Sequence, residues 1–376
     1  MTAEGHKALK PGWKVWRFDQ MATNVNVRID NPSESGMEHY VGLEHLDADS
    51  LKIRRWGTPD DVEATKLMFK KGDIIFGRRR AYQRKLGVAE FDGICSAHAM
   101  VLRARPEAVL PEFLPFFMHS DLFMKRAVQI SVGSLSPTIN WKAMAVQEFA
   151  LPPIDEQRRA LTPLNSGLQM VDALRAAIDL LVPVRKSMDA RLLSLDGVPR
   201  AQVGTIAKFS SGKGLRVSDL PKTPSGNHQI PVYGGNGISG YNDAAMDDTE
   251  RPTVVVGRVG QFCGVTSMTV GHCWITDNAL YPVRVSPDIK PMFLALCLRA
   301  ADMNRSKLGE YLPLITQEVI HKIEIPMPKV ADQQLIIEEF TGLEAAEASL
   351  ISRRADATQF LLQMVGQMIE GQADGI

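Results

Sequence analysis

The segment DIIFGRRR at residues 73–80 recurs as TVVVGRVG at 253–260, placing Gly77 on Gly257 and Arg78 on Arg258. The same offset of 180 residues carries CSAHAMVLRARPE from Cys95 onto ITDNALYPVRVSP from Ile275. After a small deletion the offset falls to 176, and GSLSPTINWKAMAVQEFALPPIDEQ from Gly133 lies over GEYLPLITQEVIHKIEIPMPKVADQ from Gly309. Pro137 then pairs with Pro313, Glu148 with Glu324 and Gln157 with Gln333. Self-similarity on this scale constrains the architecture more than any single motif, because both copies must fold the same way.

Each copy ends in the same kind of segment. From Asp155 to about Leu195, apolar residues recur at Leu161, Leu164, Leu168, Val171, Leu174, Ile178, Leu181, Met188 and Leu192. That is the three-and-four spacing of an amphipathic helix. The second copy runs from about Asp332 to Met368 through Ile336, Phe340, Leu343, Leu350, Leu361 and Met364. Some forty residues at the helical rise give roughly 60 Å in each case. The preceding LPPIDEQ and PMPKVADQ read as helix starts, with proline ending what comes before and acids at the positive end of the helix dipole. Two such helices, each with a narrow apolar seam, bury those seams if they pair as an antiparallel coiled coil. Pro163 and Pro183 lie inside the first, where each removes a hydrogen bond, so a late start, a bend or a split is expected there.

The remainder reads as short strands and helices. GDIIFGR, PTVVVGR, AMVLRA and ALYPVRV are β-branched or apolar runs bounded by Gly, Pro or Asp, hence strands. LPEFLPFFMHSDLFMKRAV and KPMFLALCLRAADMNRSKL look helical between them. The fold class is therefore α+β, each half a compact domain followed by a long helix. The expected boundaries are 1–153 and 198–329 for the two domains, with long helices over 154–197 and 330–376.

Composition matters mainly for what it excludes. The four cysteines, Cys95, Cys263, Cys273 and Cys297, form no CxxC pair, and the histidines lack zinc-finger spacing. Buried reduced thiols and no metal site are expected. The opening residues carry no apolar core of a secretory signal, and no stretch is long and apolar enough to span a bilayer, which points to a cytoplasmic protein with no membrane partner. The formal net charge is zero, so any nucleic-acid contact must be a local patch. GGNGISG at 234–240 lacks the lysine and hydroxyl ending of a phosphate loop and reads as a glycine turn. LPPID lacks the preceding Asn or Asp that would make it an amino-methyltransferase motif. No catalytic residue, cofactor or metal ligand is assigned.

The order GDIIFGRRRAYQRKLGVAEFDGICSAHAMVLRA, then GSLSPTINW, then LPPIDEQRR before a long helix, all of it repeated, resembles the specificity subunit of type I restriction-modification systems. GNHQIPVYGGNGISGY followed by VVVGRVGQFCGV resembles a second pattern of that family's target recognition domains. The resemblance implies a noncatalytic reader of double-stranded DNA with two target recognition domains in tandem. Its helices would set the spacing between two half-sites. Two methyltransferase subunits would assemble on it, with restriction subunits joining for cleavage, and methyl donor, ATP and magnesium would belong to those partners. A DNA-recognition subunit of a related defence or methylation complex would follow the same physics.

Arginine and lysine position a protein on phosphates, while Arg, Gln and Asn can read base edges. In the first copy Arg78, Arg80, Arg84 and Lys85 are assigned to phosphates, Arg79 and Gln83 to bases, and Tyr82 to stacking. The second copy is less basic there, keeping Arg258 and Gln261, so Lys213, Arg216, Asn236 and Tyr241 join its candidates. Because the loops differ between copies, an asymmetric, bipartite target is expected. The acids Glu338, Glu339, Glu344, Glu347 and Asp356 give the second helix a face that should point away from DNA or toward a basic partner.

Overall fold

The structure is a computed structural model that describes residues 9–247, 249–303 and 314–369. Residues 309–313 of the repeat, Pro313 among them, lie outside the described residues, as do 1–8 and the end of the second helical segment from 370.

In the first half the elements are β1 (Lys14–Arg17), α1 (Phe18–Met21), β2 (Ala22–Val25), β3 (Arg28–Ile29), β4 (Tyr40–Val41), β5 (Lys66–Phe69) and β6 (Ile74–Gly77). They continue as β7 (Leu86–Val88), β8 (Gly93–Ser96), β9 (Ala99–Ala104), α2 (Leu114–His119), α3 (Asp121–Gln129), α4 (Trp141–Ala145), β10 (Glu148–Leu151) and α5 (Ile154–Leu193). The second half runs β11 (Arg200–Gln202), α6 (Val203–Ile206), β12 (Ala207–Ser211), β13 (Ile230–Gly234), β14 (Gly237–Asn242), β15 (Val254–Gly257) and β16 (Thr266–Met268). It ends with β17 (Trp274–Ile275), β18 (Ala279–Val285), α7 (Pro291–Ala300), α8 (Gln317–His321), β19 (Glu324–Pro326) and α9 (Val330–Ile369).

The sequence repeat is a repeat of topology. A four-stranded antiparallel sheet of order β2-β9-β6-β7 in the first half corresponds to β12-β18-β15-β16 in the second. A ribbon of β1 with β10 corresponds to β11 with β19. A smaller sheet follows in each: β3-β5-β8-β4 with β4 parallel to β8, and β14-β13-β17 with β17 parallel to β13. The copies therefore share one framework and differ in the segments around the smaller sheet.

The central strands read as unbroken apolar runs because both faces are covered. Ile74 and Phe76 of β6 enter a core with Phe18, Phe117 and Phe123, while Ile75 turns the other way onto Leu67, Cys95 and Val101. In β15 Val254 and Val256 face Phe209 and Phe293, and Val255 faces Tyr233 and Ile275. A fully buried Ile, Val or Phe contributes about 1.5–3 kcal/mol, so this two-sided burial fixes the register of each strand. All four cysteines are buried.

Two buried glutamines attach the long helices. Leu110 N donates to Gln157 Oε1 (2.9 Å), and Gln157 Nε2 donates to the carbonyls of Ala108 and Pro152. Its repeat partner does the same: Lys290 N donates to Gln333 Oε1 (2.9 Å), and Gln333 Nε2 donates to Asp288 and Pro328. Both long helices have 40 residues. Despite Pro163 and Pro183, α5 is one helix from Ile154 to Leu193, neither late nor split.

The chain divides into two compact units, Met1–Ala176 with Ile351–Ile376 and Ala177–Leu350. In the first, Leu164 of α5 and Leu361, Val365 and Ile369 of α9 are buried in one core with the aromatic residues above. A Cβ at Gly167 would lie 3.0 Å from Leu361 Cδ1. Arg175 Nη2 lies 2.8 Å from Asp47 Oδ2, and Asp172 pairs with Arg54. In the second unit, Leu192 and Phe340 share a core, Glu344 accepts from Arg185 (3.1 Å) and Arg299 (2.8 Å), and Arg191 pairs with Glu339. Part of the acidic face of the second helix is thus neutralised within the chain itself. No helix among the described residues is long and apolar enough to cross a membrane.

Candidate nucleic-acid interface

The basic segment of the first copy forms the connection from β6 to β7, a short turn at Ala81–Gln83 flanked by Arg80 and Arg84 in left-handed backbone conformation (φ 56° and 52°). A second segment, residues 132–138, closes against it. Val132 and Thr138 exchange backbone hydrogen bonds (3.1 and 2.9 Å), Arg80 N donates to Pro137 O (2.7 Å), and Ile139 N donates to Arg78 O (2.9 Å). Arg79 Nε and Arg80 Nε both donate to Ser136 Oγ, at 2.9 and 3.1 Å. Neither guanidinium has an acidic partner among the described residues. The two loops make one surface with both arginines exposed on it.

The seven candidates of this loop divide by what they touch. Arg79, Arg80 and Tyr82 are exposed, and Gln83 is half-buried beside them. Arg84 instead donates to Asp49, to Asp121 Oδ1 (2.9 Å) and to the His119 carbonyl (2.6 Å), so its charge is satisfied internally. Lys85 Nζ donates to Leu43 O (2.7 Å). Arg78 is half-buried and donates to the Ala97 carbonyl (3.1 Å). Its repeat partner Arg258 donates to Asp277 O and to Ser211 Oγ, both at 3.3 Å, and its own carbonyl accepts from Ile315 N as that of Arg78 does from Ile139 N. The pair that made the repeat visible therefore braces equivalent turns in the two copies. Of the loop's five cations, only Arg79 and Arg80 are exposed, and neither has an acidic partner among the described residues.

His98 lies on the same surface, and sequence reasoning missed it. Its imidazole is held below the usual histidine range, first by partial burial and then by the charges of Arg79, Arg78 and Lys66. Asp49, which sequence reasoning also missed, is held below the usual carboxylate range chiefly by His119 and also by Arg84, against the opposite pull of burial. Ser136 and Asp49 lie far in sequence from the residues they orient, so no local pattern announces them.

In the second copy backbone approach assembles the site. A Cβ on Gly257 would lie 2.3 Å from Phe262 O and 2.5 Å from Gly235 O, so only glycine lets the end of β15 meet both turns. Asn236 is exposed on one of those turns and Gln261 on the other, with Arg258 next to Gly257. At Gly212 a Cβ would fall 2.2 Å from Ile275 O, and the next residue, exposed Lys213, donates its N–H to the same carbonyl (2.9 Å). Lys213, Asn236, Arg258 and Gln261 are thus brought to one region. Arg216 and Tyr241 belong to a neighbouring stretch, where Arg216 lies 3.8 Å from Asp219 and Tyr241 N donates to Pro221 O. Arg258 also lines an open cleft of about 660 Å³ with Ser211, Gln317 and His321. No group of three or more metal-ligating side chains occurs among the described residues.

Comparison with known proteins gives the same resemblance. No family model matches the chain. It is 24% identical over 169 residues to the specificity subunit of the type I restriction enzyme EcoDI of Escherichia coli, a match covering 44% of this chain and 37% of that one. It is 25% identical over 134 residues to the EcoprrI specificity subunit of the same species, covering 36% and 33%. The matched region spans about a third of the length of these relatives. The fold is similar to a chain solved in work on complex assembly and conformational transition of a type I restriction-modification system, with TM-score 0.61, 20% identity and coverage of 97% and 100%. It is likewise similar to the S subunit of a type I system from M. genitalium, with TM-score 0.59, 14% identity and coverage of 100% and 99%. In sequence the chain resembles type I specificity subunits, and it has their mixed α and β fold.

Proposed function

We propose that the chain is the noncatalytic DNA sequence-specificity subunit of a type I restriction-modification enzyme. Each target recognition domain reads one half of a bipartite, asymmetric target. The observation that carries this reading is the duplicated framework with unlike loops: one sheet order and one arginine brace in both copies, but Arg79, Arg80 and Tyr82 exposed on the first and Lys213, Asn236 and Gln261 on the second. Equal frames with different contact residues suit two different half-sites.

Helices α5 and α9 serve as an antiparallel coiled-coil spacer, and methyltransferase subunits, with restriction subunits for cleavage, assemble on the chain. Support for the pairing comes from inside each unit, where Leu164 shares a core with Leu361, and Arg185 and Arg191 meet Glu344 and Glu339. The setting is cytoplasmic, where the DNA and those partners are. Genome-wide modified-base sequencing of the native host, with and without this gene, tests the function. Loss of methylation at a split, asymmetric motif on deletion is the expected result. An unchanged methylome in a host whose methyltransferase is active removes the modification role.

A further inference from the structure

We propose that the tip of the 132–138 loop is an apolar wedge, with Leu135 entering the bound DNA at one base step and unstacking it. This rests on the reading of the first copy as a DNA-contacting domain. Leu135 is 91% exposed and Val132 78%, the two most exposed large apolar side chains of the described residues. A single exposed leucine needs no explanation by itself. What distinguishes this one is how firmly it is presented. The base of the loop is closed by reciprocal backbone bonds between Val132 and Thr138, and the turn uses Gly133 at φ 112°. Its far side is tied to the basic loop through Pro137 O, and the two exposed arginines of that loop are drawn by their Nε atoms onto Ser136, the neighbour of Leu135.

The loop thus carries an apolar tip held out into solvent and, one residue away, two cationic groups whose terminal nitrogens make no ion pair among the described residues. Proteins that kink duplexes combine these same elements, cations that hold the backbone and a Leu, Ile, Phe or Met that parts a base step. The arginines supply the salt-dependent share of binding, and the leucine supplies a share that does not release counterions. Steps that unstack easily, pyrimidine followed by purine, would be favoured under the tip. The first half-site would accordingly be read in part through deformability.

The test uses the full chain and a duplex carrying the target found by methylation mapping, with 2-aminopurine placed in turn at each step of the first half-site. The expected result is a fluorescence rise at one step with the wild-type chain. Leu135→Ala should return that signal to the level of free duplex and weaken binding roughly 10-fold with the salt slope unchanged, while Leu135→Phe keeps the signal. So exposed a side chain can be changed without touching the core. Tight, target-specific binding with no rise at any step, or a rise that survives Leu135→Ala, overturns the wedge and leaves the recognition role standing. No preference for the target duplex over a scrambled one overturns the recognition role and the wedge together.

Discussion

Five cationic side chains crowd residues 78–85, yet their partners divide them into two tasks with different signatures. Arg79→Ala and Arg80→Ala should leave the folded state nearly unchanged and lower the salt slope of DNA binding by about one unit for each phosphate left without its arginine, read from affinities across a salt series. Arg84→Ala should instead lower stability by about 1–3 kcal/mol in chemical denaturation, because it strips partners from Asp49 and the His119 carbonyl. A second prediction concerns protons. The folded chain holds His98 below its unfolded value near 6.5, so the unbound protein binds fewer protons than the unfolded chain and loses some stability as pH falls through that range. A phosphate over the exposed Arg79 would offset the repulsion and raise the His98 pKa. Binding should therefore tighten as pH falls from about 7.5 to 5.5, and His98→Gln should remove that dependence in affinity measurements. The basic run itself was legible in the sequence. The division of labour within it was not, since Asp49, Asp121 and Ser136 that create it sit 35 to 57 residues away.

At the scale of elements, the prolines of α5 and the paired glutamines pull in opposite directions on the same helices. Each interior proline costs a helix about 3 kcal/mol relative to alanine. Pro163→Ala or Pro183→Ala should therefore raise the melting temperature, and an unchanged or lower value would mean that the proline shape is used in packing. Gln157→Ala should lower stability by about 1–3 kcal/mol, since it leaves the N–H of Leu110 and the carbonyls of Ala108 and Pro152 without their partner. Gln333→Ala should do the same in its unit, and urea titration measures both. The element scale is where the sequence was most readable. AMVLRA is β9 and ALYPVRV is β18 residue for residue, because short apolar runs covered on both faces leave an unambiguous signal. The helix of α5 passes through both prolines, each exposed, and is buried at Gln157, Ala160 and Leu164 near its start and Leu192 near its end, an outcome that local propensity does not foretell. The glutamines stood out in the alignment of the two copies, but their role needed the carbonyls of a loop 45 to 49 residues off.

At the scale of the whole molecule, the first unit is not continuous in sequence. Leu361, Val365 and Ile369 lie in the same core as Phe117 and Phe123. At about 1.5–3 kcal/mol for each buried side chain, their loss is comparable to the 5–15 kcal/mol that holds an ordinary domain together. A chain ending at Leu350 should therefore lose protease resistance within residues 9–176, far from the cut, as limited proteolysis with mass spectrometry would reveal. The repeat announced two similar halves, but nothing in it announced that the first borrows from the end of the second. That borrowing bears on how the protein is made. On a ribosome adding about 5–20 residues per second, the stretch between Ala176 and Ile351 takes roughly 10–35 s to emerge. Throughout that interval the first half waits with part of its core uncovered. A chain stalled or ended before α9 is then left open to degradation, so the fold itself makes the first half's integrity depend on translation through α9.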